Sequence, residues 1–195
     1  MSKLSLLIDV DDTICLTSPK WIQLTDAWMK RHRCKRIQEK SRDKYQLEDS
    51  FEMTPGQRSR YLCYMYDAID FITLKPVDGA QEFIQFCKDQ DINVTFVTAR
   101  PPIYENVTKV WLAENFSVAP PIVMFTRDIA PYTSFFDVLI DNSIRRCQQF
   151  SASPQKKSIL FTKVLVDRED DEPVPEHFLT ADSFEKVKEY ILNVR

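Results

Sequence analysis

The 195-residue sequence predicts an α/β protein with a Rossmann-like core, built on a parallel central sheet with a helical insertion after the first strand. Three apolar runs carry this expectation. Leu4 to Ile8 stops at Asp9, Asn93 to Val97 ends at Thr98, and Val138 to Ile140 stops at Asp141. Short apolar runs of this kind suit strands buried on both faces. The helical patterns between them give the alternation from which parallel sheets are made.

Each element has its own local signal. Ser18 followed by Pro19 looks like an N-cap with proline at the first helical position, opening a helix to about Arg33 in which Trp21, Leu24, Trp28 and Met29 share a face. Lys30 to Lys44 holds eight Lys or Arg residues against Glu39 and Asp43 and reads as a solvated face. Arg58 to Thr73 reads as one aromatic-rich helix, and Trp21, Trp28, Tyr61, Tyr64 and Phe71 are expected to pack helix against helix. Beyond Pro76 come a helix from Gly79 to Lys88, a strand from Asn93 to Thr98 and a helix from Pro101 or Pro102 to about Asn115. Strands follow at Ile122 to Phe125, Val138 to Ile140, Ser158 to Val166 and Phe178-Leu179, with the acidic stretch Asp167 to Glu172 as an exposed loop. Asp182, with Glu185 three positions on, is expected to cap the last helix. Residues 1–17 and 77–195 thus form the α/β core and residues 18–76 a helical cap.

Composition narrows the chemistry. A formal charge of −3 and a pI near 5.5 provide no broad field for nucleic acid or an anionic membrane. The run from Lys3 into the carboxylates Asp9, Asp11 and Asp12 suits neither a signal peptide nor a membrane span, so a cytoplasmic protein is expected. Five scattered cysteines without a Cys-x-x-Cys pair suggest reduced thiols, and two histidines leave little for a His-based metal site or triad. With two glycines there is no glycine-rich phosphate loop, so the chemistry must rest on carboxylates.

In open parallel sheets ligands bind beyond the carboxyl ends of the strands. The first such end reads Asp9-Val10-Asp11-Asp12-Thr13, in which two carboxylates spaced by two can face one cavity. That pair suits phosphoryl transfer: one carboxylate attacks phosphorus and holds a hard cation, while the other moves a proton. Mg²⁺ is the natural ion for an all-oxygen site.

Asp9-Val10-Asp11-Asp12-Thr13, with Thr98 and Asp141 each ending a later strand, resembles motifs one, two and four of the haloacid dehalogenase superfamily of phosphatases. The resemblance implies Asp9 as nucleophile through an aspartyl-phosphate and Asp11 as general acid, then base. It implies phosphate binding by Thr98 with Ala99 and Arg100. It also implies Mg²⁺ held by Asp9, the Asp11 carbonyl and Asp141. Leu74 to Ala80, Thr98-Ala99-Arg100-Pro101, Phe125-Thr126-Arg127-Asp128, Leu139-Ile140-Asp141 and Ile159 to Thr162 further resemble the 5'(3')-deoxyribonucleotidase-like family. Three positions depart from that pattern. A lysine should follow Arg127-Asp128, where Ile129 stands, so Arg127, Arg100 and Lys109 are the candidates to supply its charge. Asn142 replaces a second aspartate, and Thr17 replaces an aromatic residue. The expected partner is a small phosphorylated substrate, a nucleoside monophosphate first, and a homodimer stays open. The alternatives are a 3'-end phosphatase on nucleic acid and a nucleotide-binding regulatory protein that has kept the fold with weakened catalysis.

Overall fold

The computed structural model describes residues 3–35, 51–118, 120–152, 155–164 and 178–194. Its centre is a six-stranded, all-parallel sheet formed by β1 (Ser5–Asp9), β2 (Asn93–Thr98), β3 (Val123–Phe125), β4 (Val138–Asp141), β5 (Lys157–Phe161) and β6 (Leu179–Ala181), in the order β3-β2-β1-β4-β5-β6. The α/β expectation is met.

Both faces of the sheet are covered, as parallel sheets require. Leu6 and Ile8 point to one face and Leu7 to the other, because side chains alternate along a strand. The first face packs on α3 (Ala80–Asp89), α4 (Glu105–Phe116) and α6 (Phe184–Val194), through Phe83, Ile84, Trp111, Leu112, Phe184 and Val187. The second face, with Leu7, Val97, Leu139 and Leu160, packs on α5 (Ile144–Phe150) and on Ile129 and Phe136, which flank the 3-10 turn Ala130–Phe135. The sequence reading contained no helix at α5. It is only seven residues long, and Ser143 caps it by accepting from the Arg146 N–H at 3.5 Å.

Between β1 and the core helices lie α1 (Ser18–Arg31) and α2 (Pro55–Ala68). They pack on one another around a cluster of Trp28, Met29, Tyr61 and Met65, with Trp21 and Tyr64 beside it. Thr25 Oγ1 and Tyr61 Oη hydrogen-bond across the pair at 2.8 Å. These aromatics pack as expected, except that Phe71 joins the main core. The basic run beyond Lys35 and the acidic stretch Asp167 to Glu172 lie outside the described residues, and the strand expected at Ser158 to Val166 is β5, which ends at Phe161, with only positions 165–166 of that expectation undescribed.

Several boundaries differ from the sequence expectation for physical reasons. The helix expected from Arg58 to Thr73 is instead α2, started by a capping box between Thr54 and Gln57, and it stops at Ile69, whose extended backbone leads to a separate 3-10 turn at Phe71–Thr73. Ser18 is the first residue of α1 rather than its cap. The boundary residue is Thr17, and the buried N–H groups that open the helix are met by the Asp12 carboxylate, which accepts from Thr17 N at 3.2 Å and Ser18 N at 2.7 Å. In α6 the capping side chain is Ser183, which accepts from Lys186 N at 3.4 Å, while Asp182 pairs with the Lys186 ammonium. Pro102 opens a 3-10 turn, Pro102–Tyr104, before α4 begins.

No described helix is long and apolar enough to cross a membrane. The five cysteines are free thiols, with Cys15, Cys87 and Cys147 buried.

Trp111 ties the core to the segment returning from α2: its indole Nε1 donates to the Leu74 carbonyl at 2.7 Å, in full burial. Replacing Trp111 by Phe leaves that carbonyl unpaired and a void beside it. We expect a loss of about 2–4 kcal/mol in denaturant unfolding, the sum of a buried unmet acceptor and lost packing. A loss below about 1 kcal/mol would mean that the bond does not anchor this segment.

Candidate active site

The strand order reverses between β1 and β4, and the crevice at such a point is where open α/β sheets bind ligands. Asp9 ends β1, Thr98 ends β2 and Asp141 ends β4. Pairing of Leu6 with Val138 through Ile8 with Ile140 brings Asp9 and Asp141 level with one another. Each follows by two a residue of the α5-facing side, Leu7 or Leu139, so both carboxylates leave the sheet toward α5.

From α5, Arg146 meets them. One nitrogen, Nη1, donates to Asp9 Oδ1 at 2.7 Å and to Asp141 Oδ2 at 3.1 Å, while Nη2 donates to the Thr126 carbonyl at 3.1 Å. The remaining oxygens face outward from this contact. Asp9 Oδ2 accepts from Thr13 Oγ1 at 3.3 Å, and Asp141 Oδ1 accepts from Ser143 N at 2.8 Å. Burial and the neighbouring Asp141 push the Asp9 carboxyl well above the usual carboxylate range, against the pull of Arg146.

Asp11 has a separate cation. Arg100 Nε donates to both Asp11 oxygens at 3.1 and 3.0 Å, and Nη2 donates to Oδ1 at 2.7 Å. Thr17 Oγ1 adds a bond of 2.6 Å and Thr98 Oγ1 one of 2.9 Å. Burial alone would raise the Asp11 pKa, but the Arg100 charge and these bonds outweigh it and hold the carboxyl below its ordinary value. Arg100 is itself fixed by Thr108 Oγ1 at 3.1 Å and lies 4.1 Å above the centre of the Phe71 ring.

The sequence-derived residues are therefore brought together, with contacts that the sequence did not disclose. Thr98 and Arg100, expected to hold phosphate, both engage Asp11, and half-buried Ala99 lies between them. Thr17, expected as a missing aromatic, bonds to Asp11 through its hydroxyl. Of the candidates to replace a lysine at position 129, Arg127 is exposed, Lys109 pairs with Glu105 and Arg100 is held by Asp11. The cation on Asp9 is Arg146, which the sequence reading missed. Its signal was the serine cap of Asp141-Asn142-Ser143, which opens a helix with Arg146 in its first turn. Ile129 is fully buried with Ile144, Cys147 and Phe150, so that position faces the apolar side of the same helix.

The donor set of Asp9 and Asp141 is all oxygen and already converges on one positive nitrogen, which suits a hard cation. Among the described residues no group of three or more His, Cys, Asp or Glu is placed to hold a metal ion, so backbone carbonyl or water oxygens must complete any such site.

No protein-family model matches the chain, and no curated protein sequence matches it. Solved structures do. A haloacid dehalogenase-family hydrolase from Deinococcus radiodurans, with bound phosphate and sodium, aligns at TM-score 0.65 and 9% identity over 98% of this chain and 96% of that one. A predicted phosphatase from Clostridium acetobutylicum aligns at TM-score 0.66 and 13% identity over 99% and 100%. A family IA hydrolase of the same type from Entamoeba histolytica aligns at 0.64 and 16% over 98% of each chain. The fold is that of the haloacid dehalogenase-type hydrolases. In this chain of that fold, the strand ends of the switch point carry Asp9, Thr98 and Asp141.

Asp12 turns the chain from β1 toward α1 with φ of +60°, in the left-handed region that Asn and Asp tolerate better than most residues. Its carboxylate also accepts from Ser18 Oγ, yet burial raises its pKa from 3.8 to about 6. An acid with a raised folded pKa contributes stability below the unfolded pKa, and that contribution is lost as pH rises through the folded one. Two units correspond to about 3 kcal/mol at most. Asp12→Asn keeps the acceptor oxygen and removes the charge. We expect its melting temperature to exceed wild type at pH 8 and the difference to shrink toward pH 4. A difference independent of pH would show that the buried charge of Asp12 is not what costs stability.

Proposed function

We propose that this chain is a Mg²⁺-dependent phosphomonoesterase that works through an aspartyl-phosphate on Asp9, with a nucleoside monophosphate as its substrate. The observation that carries the reading is the convergence of Asp9 and Asp141 on a single cation position at the switch point, with Asp11 and Thr98 beside them. The Deinococcus structure of the same fold holds phosphate and sodium, which supports a phosphorylated ligand. The sequence resemblance to the deoxyribonucleotidase-like family supports the nucleotide.

Asp9 attacks phosphorus with one carboxylate oxygen, and the substrate alcohol leaves with a proton. Asp9, the Asp11 carbonyl and Asp141 would hold Mg²⁺, which offsets carboxylate–phosphate repulsion and stabilises charge on the phosphoryl oxygens. Asp11, ionised beside Arg100, is prepared to take a proton from the water that cleaves the acyl phosphate. To protonate a leaving alcohol it must first be released by Arg100, and a phosphate dianion sharing the guanidinium favours that release. Residues 18–76, containing the α1–α2 pair, act in this reading as a cap over the strand ends, a cytoplasmic enzyme's means of excluding water.

A second reading is a protein that binds a phosphorylated ligand with little turnover. The tight Arg100–Asp11 pair favours it, because an ionised Asp11 is a poor acid.

Phosphate release from nucleoside 5'- and 3'-monophosphates, sugar phosphates and an oligonucleotide 3'-phosphate, with and without Mg²⁺, tests both. We expect metal-dependent release from a nucleoside monophosphate, reduced about 10³-fold or more in Asp9→Asn. Release that survives Asp9→Asn refutes Asp9 as nucleophile. Tight nucleotide binding without release selects the second reading, and preference for the oligonucleotide moves the substrate to nucleic-acid ends.

A further inference from the structure

We propose that Arg146 occupies the divalent-cation seat of this site, so that Mg²⁺ binds only by displacing the guanidinium, and Arg146 sets the metal affinity by competing for Asp9 and Asp141. The inference rests on the reading of Asp9 and Asp141 as metal ligands.

The geometry separates competition from simple neighbourhood. A cation that assists a nucleophile from the side pairs with one carboxylate and leaves the facing oxygen of the other to the metal. Here a single nitrogen, Nη1, lies between the two facing oxygens, Asp9 Oδ1 at 2.7 Å and Asp141 Oδ2 at 3.1 Å. The second oxygen of each carboxylate is turned away, to Thr13 and to Ser143 N. A Mg²⁺ ion bonds its oxygens at about 2.0–2.1 Å. The two contacts would shorten by roughly 0.6–1.1 Å around the same point, leaving no room for a guanidinium nitrogen there.

Arg146 also has a place to retreat. Its other nitrogen is already bonded to the Thr126 carbonyl, which follows β3 at the rim of the site. The side chain can hold that carbonyl while Nη1 leaves the carboxylates. Ile129, on the segment where the resemblance places a lysine, is fully buried against Ile144, Cys147 and Phe150 of α5.

Without metal, the guanidinium keeps two buried carboxylates from facing one another unscreened, and removing it from such a contact is costly. The substitution that weakens the metal-free protein should therefore strengthen its hold on the ion.

Calorimetric titration with MgCl₂ alone, together with melting curves with and without Mg²⁺, is to be run on wild type, Arg146→Gln and Arg146→Lys. We expect Arg146→Gln to melt lower than wild type without metal, to bind Mg²⁺ at least tenfold tighter, and to gain more in melting temperature from Mg²⁺. Arg146→Lys, which keeps the charge, should bind Mg²⁺ nearer to wild type. If Arg146→Gln folds only when Mg²⁺ is added while wild type folds without it, the ion is replacing the guanidinium, which supports the proposal. Equal or weaker Mg²⁺ binding by Arg146→Gln overturns it and leaves the phosphatase reading standing. Absence of Mg²⁺ binding in all three proteins also overturns it. In that case phosphate release sensitive to Asp9→Asn shows whether the enzyme reading fails as well.

Discussion

The site depends on keeping several acids together out of water. Asp9, Asp11, Asp12 and Asp141 lie within one strand end and its neighbour, and three of them are almost wholly buried. Unpaired carboxylates in such a place would take up protons or force the loops apart. Two buried arginines oppose this, Arg146 between Asp9 and Asp141 and Arg100 on Asp11. Among the described residues no arginine or lysine pairs with Asp12. It relies on the N–H groups that open α1 and shows the cost in its raised pKa.

The division between the two arginines gives the carboxylates different characters. Asp9 faces a second acid and one shared guanidinium nitrogen, so its pKa rises; Asp11 faces a guanidinium through both its oxygens, so its pKa falls. Two aspartates separated by one residue are thus set apart by environment alone. Attack by Asp9 needs its ionised form and protonation of a leaving alcohol needs Asp11 protonated, so in this arrangement both directions run against the first half of such a reaction. The direction at Asp11 suits a base better than an acid, and whatever loosens Arg100 would govern the first half of a reaction more than the second.

The sheet was legible from the sequence because burial on both faces writes itself into the strands: Leu6, Leu7 and Ile8 leave no polar position before Asp9, and the same holds for Val138, Leu139 and Ile140 before Asp141. The acidic residues were legible for the same reason, as abrupt ends to apolar runs. The arginines were not. Arg146 acts on a residue 137 positions away, from a seven-residue helix too short for a periodic signal. Arg100 was visible beside Thr98, but only the turn after β2 decides that it points at Asp11. Capping residues were misplaced where a side chain from outside the helix does the work, as Asp12 does for Ser18.

The arrangement also connects the inserted helices to the chemistry. Arg100 lies on the face of Phe71, Phe71 packs on Tyr104, Tyr104 stacks on Tyr66 of α2 and donates its hydroxyl to the Tyr66 carbonyl, and Tyr66 meets Trp21 of α1 edge-on. Close-packed rings compress little, so a shift of α1 and α2 would be felt along the series. Its last member holds the carboxylate assigned to proton transfer. A ligand that draws the helices inward would thereby act on Arg100, and through it on the proton affinity of Asp11, without touching either residue. Substrate choice and proton transfer would then be coupled through packing, whereas the pair Asp9 and Asp141, held from the opposite side of the sheet by α5, stays outside that series of contacts.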